Sequence, residues 1–180
     1  MYYFDKDNLF EYVVRYLEKW SVPTEDAQMA ADVLLSADAR GVDSHGIIRL
    51  SSYYGSRLKN GLIDPLSPMK VLKETPTTLS IDAGNGLGHP VSVKTMRMTL
   101  EKAKTSGMAM ATVRNSNHYG IAGYYAMMAL PEEMIGISFT NSGPLVAPTY
   151  GKKAMLGTNP IAVAVPAASQ KPFVLDMATS

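Results

Sequence analysis

Around Asp64-Pro65-Leu66-Ser67-Pro68 the spacing of apolar residues changes rhythm, and that change limits what this chain can fold into. Before it, apolar side chains recur every three to four residues. Leu9, Tyr12, Val13, Tyr16 and Leu17 share one face of a helix over residues 5–20, which Pro23 interrupts. Thr24-Glu25-Asp26 offers a hydroxyl cap and first-turn acids to a second helix. Ala27, Ala30, Val33 or Leu34, and Ala37 form its buried stripe, and Gly41 fits its C-terminal stop. After the linker, strand-like runs alternate with helical ones: 71–72, 77–81, 108–113, 135–139, 161–165 and 172–175 are strand-like, 90–105 and 120–130 helical. The expected class is α/β: an N-terminal helical domain over 1–66, then an α/β domain with a mixed sheet over 67–180.

Bulk properties exclude several functions. The 180 residues carry a net charge of +1 with scattered basic residues, so neither nucleic acid nor an acidic membrane is an expected partner. With no cysteine there is no disulfide, thiol nucleophile or Cys-ligated zinc. No apolar run approaches the ~20 residues of a membrane span. Met1-Tyr2-Tyr3-Phe4-Asp5-Lys6 lacks a signal peptide's basic start and apolar core, so the expected location is the cytoplasm.

A third helix is expected to start near Ser44, with Asp43 or Ser44 as its cap and to end before Asn60-Gly61. Its apolar side holds Ile47, Leu50, Tyr54 and Leu58, and its polar side His45, Arg49, Ser52 and Tyr53. Solvated faces usually carry Lys and Glu, whereas an imidazole and a guanidinium one turn apart suit the lining of a cavity. Four loops follow at strand ends, where α/β sites gather. Asp82-Ala83-Gly84-Asn85-Gly86-Leu87-Gly88-His89 is glycine-rich, but its G-x-G-x-G spacing is not a dinucleotide fingerprint, and Asn115 and Asn117 stand where a ribose-binding acid belongs; a tight turn explains it better. His118 lies between a strand end and Gly120, a candidate acid/base with an ordinary pKa near 6.5. Thr140-Asn141-Ser142-Gly143-Pro144 and Leu156-Gly157-Thr158-Asn159-Pro160 hold hydroxyls and amides suited to fixed turns or to ribose and phosphate. No spacing among His45, His89 and His118 matches a metal motif, and no metal is expected.

Asp43-Ser44-His45-Gly46 with Arg49-Leu50, then Asn117-His118-Tyr119-Gly120-x-Ala122-Gly123-Tyr124-Tyr125, carry a resemblance. Thr140-Asn141-Ser142, Gly157-Thr158-Asn159-Pro160 and Leu175-Asp176-Met177-Ala178-Thr179-Ser180 continue it in order. Together they resemble the malate/L-lactate dehydrogenase family of NAD(P)-dependent oxidoreductases, which includes sulfolactate and ureidoglycolate dehydrogenases and diketogulonate reductase and is distinct from the Rossmann-fold lactate dehydrogenases. The resemblance implies a non-Rossmann α/β domain with a mixed seven-stranded sheet, a homodimer, and NAD or NADP as cofactor. It implies a small 2-oxo or 2-hydroxy acid as substrate: malate, lactate, ureidoglycolate or a related carboxylate. By position, His45 and His118 are the catalytic candidates, Ser44, Arg49 and Tyr53 the substrate-binding ones, and Ser142, Asp176, Met177 and Ala178 the cofactor contacts. Family chains are much longer, so the α/β domain is expected to be incomplete at its C-terminus. Ala147-Pro148-Thr149-Tyr150-Gly151-Lys152 also lacks the glycine pair usual after that proline. Two other classes stay open: a non-catalytic remnant acting as a binding or assembly module, and a metal-dependent hydrolase or lyase using the histidines and Asp43.

Overall fold

A computed structural model describes residues 3–66 and 69–180; Ser67 and Pro68, the end of the expected linker, lie outside the described residues. By packing, the chain forms two units, one up to Gly120 and one from Ile121 to Ser180. The change of rhythm near residue 66 marks where element type changes, while packing divides the chain after Gly120. The helical segment and the first strands share one unit because the second helix packs on the helix that links those strands.

In the first unit, α1 (Lys6–Glu18) starts at Asp5, whose carboxylate accepts the Asn8 N–H at 2.9 Å. Val13 and Leu17 are buried, but Tyr12, expected in that stripe, is exposed. α2 (Thr24–Ala39) has Pro23 at its cap position. The expected Thr24 cap is not made, because its hydroxyl donates to Glu18 at 2.7 Å. Gly41, at φ 74°, lets its own N–H reach the Asp38 carbonyl and the Val42 N–H reach that of Ala37, the paired closure of a Schellman end.

The expected third helix is broken. Asp43–His45 form one 3-10 turn, Leu50–Gly55 a π-helical stretch, and Ser56–Lys59 a short α3. Neither Asp43 nor Ser44 caps it. Instead Gly46 runs extended, and Asp38 of α2 accepts the Ile47 N–H at 2.8 Å, so the cap comes from the neighbouring helix. The apolar side nevertheless faces inward: Leu50, Tyr54 and Leu58 are buried with Val13, Leu17, Ala30, Leu34 and Ile63, and Ile47 packs at the edge.

β1 (Lys70–Glu74) pairs antiparallel with β2 (Thr78–Asp82), which pairs parallel with β3 (Met110–Arg114). The crossover from β2 to β3 is α4 (Gly88–Ser106), ended by Gly107 at φ 78°. An Asp26–Lys94 ion pair ties α4 to α2, and Lys102 reaches back to Glu74 at 2.6 Å and to the Thr75 carbonyl at 2.8 Å.

The second unit holds α5 (Ala122–Met127), a 3-10 turn at Leu130–Glu132, and the antiparallel strands β4 (Gly136–Phe139), β5 (Ile161–Val165) and β6 (Phe173–Met177) in that spatial order. Small residues let α5 sit close to the sheet: a Cβ on Gly136 would lie 2.0 Å from the Ala126 carbonyl oxygen, and Ala162 and Ala164 are fully buried. In place of the implied seven-stranded sheet, the described residues form two three-stranded sheets, one mixed and one antiparallel. No helix among the described residues is long and apolar enough to cross a membrane.

Candidate active site

Two segments of the first unit carry the ring cluster. The break at Gly46 presents Ser44, His45 and Arg49 on irregular backbone, and the stretch after β3 presents His118. The His45 and His118 rings stack with centroids 5.4 Å apart and planes 27° from parallel. Tyr53 lies 5.4 Å from His118, with the Arg49 guanidinium 5.7 Å and the Arg57 guanidinium 4.6 Å from the Tyr53 ring centre. Arg49 Nε donates to the Ser44 carbonyl, and Ser44 Oγ meets His45 Nδ1 at 2.9 Å. Beneath them the buried Tyr54 hydroxyl meets His118 Nδ1 at 2.7 Å. The structure thus brings together Ser44, His45, Arg49, Tyr53 and His118.

Packing explains how these segments hold their shape. A Cβ on Gly46 would fall 1.9 Å from Asp38 Oδ1, so only glycine lets the loop settle on that carboxylate. A Cβ on Gly88 would lie 2.2 Å from the Asn117 carbonyl oxygen, so the start of α4 admits the backbone leading into His118. The Asn117 amide donates to the carbonyls of Asn85 (3.0 Å) and Gly86 (2.9 Å), and Asn115 donates to both Asp82 oxygens. The glycine-rich turn is therefore braced by protein groups, in keeping with a tight turn. The Asp82 carboxyl is held below its ordinary range, first by the Gly84 N–H and then by Asn115.

Electrostatics revise one expectation. Burial, with smaller contributions from Arg49, His45 and Arg57, pushes His118 down to about 4. Its ring is neutral at physiological pH and is not the near-neutral titrating group its type alone suggests. Stacked imidazoles also resist carrying two charges together. Burial drives the Tyr54 phenol well above its usual value, so it stays protonated. His89, 1% exposed, is pushed down to about 3 by burial and by His118, and its ring lies 4.6 Å from that of Tyr54.

In the second unit the loops at 140–144, 156–160 and 176–180 converge. Ser142 Oγ accepts the Thr158 N–H at 2.8 Å and meets the Thr158 hydroxyl at 3.0 Å, while the Ser142 N–H donates to Asn159 Oδ1 at 2.9 Å. Thr179 donates to Asn159, and Ser180 to Gly157. Asp176, at the end of β6, accepts the Gly123 N–H at 2.7 Å and so pins the start of α5. Met177 and Ala178 continue from it, both exposed. Among the described residues no three His, Asp or Glu side chains converge to hold a metal ion.

Sequence reasoning missed Tyr54, His89, Asp38 and Arg57 as parts of this site. Only Tyr54 left a signal: a tyrosine on a face otherwise aliphatic carries a hydroxyl that needs a partner when buried.

Comparison with known proteins places the chain in a family. The family model described as malate/L-lactate dehydrogenase matches residues 4–180. The chain is 53% identical over 176 residues to a malate dehydrogenase of Pyrococcus abyssi, covering 97% of this chain and 48% of that protein. It is 45% identical over 174 residues to an L-sulfolactate dehydrogenase of Methanocaldococcus jannaschii, covering 97% and 50%. The structure of malate dehydrogenase from Pyrococcus horikoshii OT3 superposes with a TM-score of 0.92 at 50% identity, covering all of this chain and 53% of that one. The chain spans about half the length of the curated relatives it matches. It belongs to the malate/L-lactate dehydrogenase family.

Proposed function

We propose that the full-length protein transfers a hydride between NAD(P)H and a small 2-oxo or 2-hydroxy acid such as malate, lactate or ureidoglycolate. The observation that carries this is the stacked His45–His118 pair with Arg49 beside Tyr53. Arg49 offers a planar fork to a carboxylate, with Ser44 and Tyr53 completing the substrate-binding set. The imidazole pair then holds the C2 oxygen and handles its proton. A carboxylate at Arg49 offsets the guanidinium charge that depresses His118, so substrate binding itself raises the basicity of that ring.

The donor set of the second unit fits a nicotinamide cofactor in its chemistry. Hydroxyls of Ser142, Thr158 and Thr179 gather on the converging loops, and Asp176, whose carboxylate holds the Gly123 N–H, leads into the exposed Met177 and Ala178; hydroxyls, a carboxylate and free backbone are groups suited to an amide and a ribose. Ser142 already carries hydrogen bonds to Thr158, so it would meet the cofactor as part of a braced pair. When bound, the nicotinamide supplies or accepts the hydride. The choice between NAD and NADP belongs to the same proposal. So do cytoplasmic location, homodimer formation and the division into domains 1–66 and 67–180.

The test is NADH or NADPH consumption by the full-length protein with a panel of 2-oxo acids. Arg49→Ala is expected to raise KM by about 10- to 100-fold with kcat changed little, as loss of a charged hydrogen-bonded partner implies. His45→Ala or His118→Ala is expected chiefly to lower kcat. Full turnover in both histidine variants would overturn the assignment, and substrate binding without turnover in the parent would favour the non-catalytic reading.

A further inference from the structure

Tyr54 sits on the inward side of the π-helical stretch, yet it is not simply core. Its Oη lies 2.7 Å from His118 Nδ1, and the same nitrogen receives the Gly120 N–H at 3.2 Å. A backbone amide can only donate, so Nδ1 presents its lone pair. A lone pair cannot donate in turn, so Tyr54 is the donor across the shorter contact. We propose that Tyr54 is a positioning residue whose hydroxyl, together with the Gly120 N–H, fixes His118 as the tautomer that keeps its proton on Nε2. His118 then meets the C2 oxygen of the substrate as a neutral hydrogen-bond donor, an assignment that rests on the functional reading above.

Both donors are held in place. The Tyr54 ring is 1% exposed and lies edge-on between Tyr53, at 5.1 Å, and His89, at 4.6 Å. Gly120 adopts φ 83°, a left-handed conformation that strains any residue with a side chain, and a Cβ there would fall 2.7 Å from Val33 Cγ1, so glycine is what lets this N–H sit under the imidazole without strain or a shift of Val33. The charged neighbours of His118 are Arg49 and Arg57, with His45 stacked on it. A tyrosine that served only to fill volume would need no such alignment.

The experiment is long-range 15N–1H correlation NMR of full-length protein labelled with 15N-histidine, with the His118 signals identified by their loss in His118→Gln. The expected wild-type pattern is a protonated Nε2 and an acceptor Nδ1. Tyr54→Phe keeps the ring and removes the donor. It is expected to shift the Nδ1 resonance, admit a fraction of the other tautomer, and lower kcat about five- to tenfold with little change in KM, as loss of one hydrogen bond implies. A proton on Nδ1 in the wild type overturns the proposal. So does a Tyr54→Phe variant with unchanged Nδ1 resonance and unchanged kcat. Should that variant not fold, the wild-type spectrum decides alone. Oxamate, an unreactive 2-oxo-acid isostere, separates the two ideas: the expected tautomer with no response of His118 to oxamate supports the Tyr54 assignment and removes the substrate reading.

Discussion

His89 shows what one residue can cost. Its ring is 1% exposed, and neither nitrogen has a hydrogen-bond partner among the described residues. In the unfolded chain such a ring takes up a proton near pH 6.5, while in the fold it does so only at about 3. The unfolded state therefore binds the proton first. Stability is full above about pH 6.5 and drains as pH falls towards 3, with His118 adding to the loss until about pH 4. Replacing His89 by Leu removes two unpaired buried nitrogens. It is expected to stabilise the fold by about 1 kcal/mol at pH 7 and to flatten the acid limb, both read from urea unfolding at pH 7 and pH 5; a destabilised variant with the same acid limb would contradict this. None of it was legible in the sequence, where His89 closes a glycine-rich loop. Burial of a polar ring is decided by Tyr54 and Gly120, residues distant along the chain.

Among the elements, the segment from Asp43 to Lys59 was half legible. Spacing correctly placed Leu50, Tyr54 and Leu58 inward, because residues four apart stay on one side of α- and π-helical turns alike. The same insensitivity hid the π-helical stretch. Gly46 was visible as a glycine, but its role depends on Asp38, eight residues earlier on another helix. Gly46→Ala is expected to destabilise the fold by about 2–4 kcal/mol, since the new methyl displaces a carboxylate that holds a backbone N–H. Asp38→Asn keeps the volume and an acceptor oxygen and is expected to cost about 1 kcal/mol. Thermal unfolding of the two variants checks the order. Equal, negligible effects would show that Asp38 does not organise the loop. Strands and α4 were read closely because their signals are local: a run of apolar residues, then a glycine at positive φ.

At the scale of the whole molecule, sequence pattern gave the α/β class and the helical start, but not the separate sheets. Sheet membership is set by which strand edges meet, and no periodicity encodes that. The antiparallel sheet turns Ile137, Phe139, Ile161, Phe173, Leu175 and Met177 outward, a face of the kind that a longer chain or a second copy covers. The ring cluster, by contrast, is assembled within one unit, so the residues proposed to bind the acid can be tested by themselves. The most direct measurement is the ratio of kcat/KM for a 2-oxo acid to that for its carboxamide, in the full-length protein and in Arg49→Ala. If Arg49 grips the carboxylate beside the two imidazoles, the parent prefers the acid by about 100-fold and the variant loses most of that preference. An unchanged ratio in the variant would show that the acid is bound somewhere else.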